Sequence, residues 1–495
     1  MKNFQYLIMP LLWISLLPIF VNAESVIQQD PPPNIIYILA DDLGYRELGS
    51  YGQEKIKTPR LDALASEGMR FTQHYSGAPV CASSRCVLMT GLHCGHSLVR
   101  NNWENGGWGE FEPEGQYPLP SGTRNVASLL KNAGYTTGVF GKWGLGGPGT
   151  TGAPENQGFD HSCTVICQRK AHNFYPNHLW KNGEKYILKG NGWFKAHQKL
   201  NEPLATDQAY YDRYQREKYM ADIFLEEALG FIDEAHSKQQ PFFLYYPSPI
   251  PHVALQVPVE DLDAYPRDWD TEPYLGGSYL PHPRPRAAYA AMITHLDKEV
   301  GALLDRLQKL GLSENTIVMF SSDNGTTWAG GVDHEFFEST GELSGLKGSV
   351  LEGGLKVPFL VRWPGKIEPG SVSDFPSYFP DVMPTLLEIA HIKDESPHDG
   401  HSLVAVFDGK NFKRTKHLYW EHGDQQAIRV EDWKLVRRRL GKKNAATKLF
   451  YLKSDPGEKD DLAKSEPQKL QELLELSRKS RFPSSIFPNP GLDAP

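Results

Sequence analysis

Cysteine is scarce in this chain: five residues of 495, at Cys81, Cys86, Cys94, Cys163 and Cys167. Neither Cys163 with Cys167 nor Cys86 with Cys94 has the paired spacing of structural zinc, so a zinc-organised fold finds little support. Positive charge is not in excess either. Lysine and arginine number 52 against 60 acidic residues, a net charge of −8, which argues against a general nucleic-acid binder that works by neutralising phosphates. Internal repeats and low-complexity tracts are missing, so nothing points to a repeat architecture. Beyond the first residues no apolar run approaches the length of a bilayer-spanning helix.

What is present begins with an export signal. Lys2 precedes an apolar run over 7–21 broken by Pro10 and Pro18, and Val21-Asn22-Ala23 offers small residues for cleavage. The run is too short and interrupted to span a membrane, so residues 1–23 are expected to be a signal peptide. The mature protein is then expected to be soluble, secreted or periplasmic, without stable membrane association. An odd cysteine count in an exported chain flags one thiol with a separate task, and setting Cys81 aside leaves four that could form two bridges in three ways. Composition is ordinary for a globular protein, and the length points to more than one domain.

After Pro31-Pro32-Pro33, residues 34–40 form a continuous apolar run of strand length, the pattern of a strand covered on both faces. Strands are also expected at 70–75, 135–140, 241–246, 316–320 and 359–362, with helices at 58–68, 125–133, 210–235 and 287–310. This alternation predicts an α/β fold, a large, mostly parallel sheet flanked by helices. Residues 145–205, rich in glycine, asparagine and aromatic residues, read as long loops over a site. Past residue 400, strands at 417–421, 426–438 and 448–452 follow one another before a helix at 467–478, which predicts a small C-terminal antiparallel sheet with a helix. The expected division is a main domain at 33–400 and an α+β subdomain at 401–495.

Residues 79–91 read as a loop that delivers Cys81 to a helix start, with Ser83 and Ser84 suited to the first turn and Gly91 to the stop. Cys81 and Arg85 are one turn apart and share a face, while the opening amides offer partial positive charge to an anion. Asp41 and Asp42 follow one buried strand, and Asp323 and Asn324 follow another. Adjacent carboxylates in that position are costly unless compensated, and hard oxygen donors favour calcium or magnesium over zinc or copper.

Cys81, Ser83 and Arg85, followed by Thr90-Gly91, resemble the signature of the sulfatases, in which this cysteine is oxidised to formylglycine. The likeness runs from about Asn34 to the C-terminal region and keeps the order of the family's motifs. It implies one calcium ion held by Asp41, Asp42, Asp323 and Asn324 together with the formylglycine derived from Cys81. The partner that makes it would be a formylglycine-generating or sulfatase-maturating enzyme. The resemblance also implies that Arg85 fixes the modified residue, Lys142 and Lys347 hold sulfate oxygens, and His252 protonates the departing alcohol. One hydroxyl of the hydrated aldehyde would attack sulfur, and collapse of the second to a carbonyl would release the sulfate.

The chain departs from the commonest pattern at Gly144, where a Lys-Trp-His triplet is usual, and His93, His96 and His334 are candidates to replace that histidine. Residues 142–149 and 171–176 look like a branch of bacterial carbohydrate sulfatases. A sulfated carbohydrate is therefore the expected substrate, with galactose or N-acetylgalactosamine 4-sulfate as the specific reading. Trp103, Trp108, Tyr175 and Trp180 offer faces for sugar rings, and His172, His178 and His334 bonds to hydroxyls. Two alternatives stand beside this: a phosphonate monoester or phosphodiester hydrolase of the alkaline phosphatase superfamily, or a catalytically silent glycan-binding protein.

Overall fold

The strand Asn34–Ala40 is buried at every position, and its alternate side chains serve two different cores. Ile36, Ile38 and Ala40 pack with helices Met220–Ser237 and Pro285–Lys309, whereas Ile35, Tyr37 and Leu39 pack with helices Cys81–Thr90, Val126–Asn132 and Val382–Ile389. A strand covered on both faces has no use for a polar side, which is why its sequence does not alternate. The computed structural model describes residues 1–2, 32–106 and 109–493, so the body of the expected signal peptide and Trp108 lie outside the described residues.

Ten strands form the main sheet. Asn34–Ala40 pairs in parallel with Phe242–Pro247 on one side and Thr316–Ser322 on the other, and Thr136–Lys142 pairs in parallel with Phe242–Pro247 and His161–Val165. Antiparallel partners join outside these five, as Phe359–Arg362 does against Thr316–Ser322 and His178–Lys181 against His161–Val165. The α/β expectation holds. Register aligns Ala40 with Ser322 and Leu39 with Pro247, so 41–42, 323–324 and the loop after Pro247 leave one edge of the sheet together. Ligands of open α/β sheets sit at this carboxyl edge.

The C-terminal sheet runs Leu418–His422, Gln425–Val430, Trp433–Arg438 and Ala446–Tyr451, each antiparallel to the next. Leu435 and Leu449 from this sheet, and Leu473 from helix Pro467–Lys479, belong to the same apolar cluster as helix Cys81–Thr90. Residues 32–495 form one compact unit.

Three expectations are corrected. The span read as loops at 145–205 contains strands His161–Val165, His178–Lys181 and Glu184–Ile187; the last is exposed throughout and carries no apolar alternation to announce it. The helix at 210–235 is two, Asp207–Tyr214 and Met220–Ser237. The strand at 426–438 is a hairpin whose two-residue turn places Glu431 at φ 53°, a conformation that glycine or asparagine would have advertised. All five cysteines are buried and free, so neither of the possible bridges forms. Among the described residues no helix is long and apolar enough to cross a membrane.

Candidate active site

Helix Cys81–Thr90 opens at Cys81, after an extended Val80, and closes at Gly91 with φ 68°. Cys81 Sγ lies 3.4 Å from Asp41 Oδ1 and 4.0 Å from Asp42 Oδ1. One turn on, Arg85 donates from Nε and Nη2 to Asp323 Oδ2 at 3.0 and 2.8 Å and from Nη1 to the Lys142 carbonyl at 2.6 Å. The Lys142 ammonium reaches Asp41 Oδ2 at 2.5 Å, and Lys347 reaches Asp42 Oδ2 at 2.8 Å. Asn324 Nδ2 donates to Asp42 Oδ1 at 2.7 Å, and His252 Nε2 stands 3.6 Å from Asp42 Oδ2. Asp41, Asp42, Cys81, Arg85, Lys142, His252, Asp323, Asn324 and Lys347 therefore meet in one pocket. Asp42 enters it through a left-handed turn, φ 67°, which aspartate tolerates better than most residues and which turns the chain directly after Asp41.

Three carboxylates here face three permanent cations. Burial opposes ionisation of Asp41, but Lys142, then His252, Arg85 and Lys347, outweigh it and hold its carboxyl well below the usual range. Burial, and next the charge of Asp41, push Asp323 up to about 7. Burial, then Asp323 and Asp41, push the Cys81 thiol far up. As a thiol, residue 81 is protonated and a poor nucleophile.

The donor set suits a hard divalent cation such as calcium or magnesium. Asp41, Asp42, Asp323 and Asn324 have no exposure, supply hard oxygens, and include an Asn324 Oδ1 that is buried without a hydrogen-bond partner.

The sulfatase family model matches residues 33–392, and a model of the C-terminal region of N-sulphoglucosamine sulphohydrolase matches 346–480. The chain belongs to the sulfatase family. It is similar to an N-acetylgalactosamine-6-O-sulfatase of Bacteroides thetaiotaomicron, 28% identical over 96% of this chain and 99% of that one. An N-acetylgalactosamine-6-sulfatase of Rattus norvegicus is 31% identical over 75% of this chain and 65% of its own length. Among solved structures, Ps i-CgsB in complex with k-i-k-neocarrahexaose has a TM-score of 0.73 and 27% identity, covering 91% of this chain and 93% of that one. The sulfatase described here is accordingly a sulfuric ester hydrolase.

The pocket of this sulfatase has its own features. Burial, and then Lys347, lower His252 to about 4, so its imidazole is neutral near neutral pH. Nδ1 donates to the Val253 carbonyl at 2.5 Å, which leaves the Nε2 lone pair facing the pocket. His172 stacks on His252 with ring centroids 4.9 Å apart and an 11° tilt, and its Nδ1 lies 3.0 Å from His197 Nε2. Tyr279 stands edge-on to all three rings. No motif pointed to His197 or Tyr279.

At Gly144, φ 80°, an added Cβ would sit 2.8 Å from Gln168 Nε2, so Gln168 occupies the space where a side chain at 144 would begin. His93 and His96 are not its replacement. They follow the far end of helix Cys81–Thr90, about 15 Å from its start for ten residues, and are grouped with Asp399.

The other expected substrate residues divide. His334 shares a cavity of about 820 Å³ with Lys347, Tyr279 and Trp328. His178 is bonded through both ring nitrogens, to Asn177 at 2.8 Å and Glu114 at 2.7 Å. Trp103 and Trp180 line a different cavity of about 610 Å³, whose wall includes Glu104, Glu112 and Glu114 and none of the pocket residues. Tyr175 is buried against Tyr219.

Proposed function

We propose that this sulfatase removes sulfate from a glycan by means of a formylglycine made from Cys81 and one calcium ion held by Asp41, Asp42, Asp323 and Asn324. The observation that carries the proposal is the convergence of Cys81, Arg85, Lys142, His252 and Lys347 on that buried oxygen cluster. Calcium there would polarise the sulfate and offset negative charge on an attacking oxygen. The hydrated aldehyde would supply the nucleophilic oxygen that the protonated thiol lacks.

The chain's own residues do the rest. Arg85, clamped between Asp323 and the Lys142 carbonyl, fixes the helix turn that aims residue 81 at Asp41. Lys142 and Lys347 approach from opposite carboxylates and present ammonium groups to the non-bridging sulfate oxygens. His252, whose Nδ1 is held by the Val253 carbonyl, turns Nε2 to the pocket, where it would hand a proton to the leaving alcohol oxygen.

The galactosamine relatives are named for the 6-sulfate, and this position replaces the 4-sulfate expected from sequence. We take the substrate to be a glycan bearing N-acetylgalactosamine 6-sulfate, the protein to be exported through residues 1–23, and residues 401–495 to act as a subdomain of the 33–400 catalytic domain. A maturating enzyme converts Cys81. The test is sulfate release from N-acetylgalactosamine 6-sulfate and 4-sulfate, beside an aryl phosphonate, by protein co-produced with a formylglycine-generating enzyme. Release from the 6-sulfate is expected, with none from Cys81→Ala. A large preference for the phosphonate, or full activity of the substituted protein, overturns the reading.

A further inference from the structure

Two cavities meet at Lys347. The one of about 820 Å³ and a neighbour of about 520 Å³ both count Trp328, His334 and Lys347 in their walls. Each alone has the size of a small-ligand site, about 300–1,000 Å³, so the pair has room for more than the sugar whose sulfate is cleaved.

The smaller cavity has an unusual wall. It contains Lys347 from the catalytic pocket, Arg438 from the end of the C-terminal strand Trp433–Arg438, and no aspartate or glutamate. Acidic residues outnumber basic ones by 60 to 52 across the whole chain, and the Trp103 cavity carries three glutamates. Lys347 is paired with Asp42 on its catalytic side, but the cavity wall itself adds Arg438 and no carboxylate, which favours an anion there. Gln425, on the adjoining strand, ties the sheet to the Lys347 loop by donating from Nε2 to the Gly348 carbonyl at 2.8 Å. Its Oε1 is buried and has no hydrogen-bond partner, an acceptor suited to a hydroxyl donor. Between the cavities stands Trp328, 70% exposed, an indole face that protein packing does not use. Sugar rings stack their C–H faces on such a surface.

Building on the glycan-sulfatase reading above, we propose that the sugar next to the sulfated one lies over Trp328 and that Arg438 binds a second anionic group on it. That group is a sulfate or a uronate carboxylate, whose chemistry toward a guanidinium is shared. The C-terminal sheet thus takes part in choosing the substrate.

The experiment measures kcat/KM of matured protein on N-acetylgalactosamine 6-sulfate alone and in disaccharides whose neighbour is neutral, sulfated or a uronate. Wild type is expected to prefer at least one anionic neighbour over the neutral one by about tenfold or more, as a charge-assisted contact allows, and rising salt should erode that preference. Arg438→Gln brings the ratio toward one, Arg438→Lys retains part of it, and Arg438→Glu inverts it. Trp328→Ala lowers kcat/KM for every disaccharide relative to the monosaccharide. Whichever anionic neighbour responds to Arg438 identifies the source of the charge. A wild-type ratio near one, or a ratio that Arg438→Gln leaves in place, overturns the inference alone. Failure of wild type on all four sulfated sugars, while it still releases sulfate from 4-nitrophenyl sulfate, overturns the glycan reading and the inference with it.

Discussion

At the scale of single residues, Arg85 is the tightest constraint on the pocket. Its three nitrogens serve a carboxylate and a carbonyl in one plane, a geometry that lysine does not reproduce. Arg85→Lys is expected to lower kcat on 4-nitrophenyl sulfate by about a hundredfold or more, since a small misplacement of residue 81 is costly. His252→Asn removes the proposed proton donor and should lower kcat on a sulfated sugar by about 10²–10⁴-fold. Its cost should shrink on nitrophenyl sulfate, whose leaving group needs no proton, and comparison of that ester with a sulfated sugar checks this. The carboxylates after apolar runs and the cysteine one turn before an arginine were legible from residue type and position, whereas Lys142, His252 and Lys347 entered only through the resemblance to the sulfatases, since a lone lysine or histidine carries no such signal. Trp328, His197, Tyr279 and Gln168 were not legible, because tryptophan, histidine and tyrosine occur widely and only the fold brings these to the pocket. Trp103, singled out for the same generic reason, lines a separate cavity that none of the pocket residues enters.

At the scale of elements, helix Pro285–Lys309 carries a pH response. Burial alone would lower His295, but Asp222 and Asp261, 3.0 and 2.7 Å away, outweigh it and raise it to about 10. One turn on, burial raises Glu299 to about 8, with His295 offsetting part of the effect. The paired imidazolium stabilises the fold fully below its unfolded value of about 6.5, and that contribution is lost as pH rises to about 10. Glu299 keeps a proton in the fold that the unfolded chain releases above about 4.5, so stability also falls between there and about 8. Both work in one direction. Tm is expected to fall from about pH 6 to about pH 10, and the deficit of His295→Gln relative to wild type, measured by calorimetry, should be largest at the acid end and close by about pH 10. Elsewhere, Lys434 on the C-terminal sheet is buried between Glu352 at 2.8 Å and Glu458 at 2.9 Å, just beyond the Lys347 loop. Lys434→Ala leaves two carboxylates without their cation and is expected to cost about 3–5 kcal/mol in chemical denaturation. The central strands were readable because they are apolar throughout. Glu184–Ile187 exists through pairing with its neighbour, which no local pattern encodes.

At the scale of the whole molecule, the pocket joins segments far apart in the chain. Asp41 and Asp323 both contact Arg85, so this guanidinium ties the two strands of the sheet centre to the cysteine helix, and the proposed ion would add to that tie. Chelation with EGTA is expected to abolish turnover and lower Tm, and calcium at about 100 times its Kd should restore about 2.7 kcal/mol. Magnesium returning Tm equally would count against calcium. The burial of Cys81, 1% exposed, also sets a schedule for biosynthesis. The strand that opens the sheet gains its first neighbour, from Phe242, only after about 200 further residues have left the ribosome, and its second, from Thr316, after about 280. Until then the thiol has no lid. If Cys81 is converted as proposed, the enzyme that does so would have to reach it on the nascent or newly translocated chain, before burial closes over the thiol.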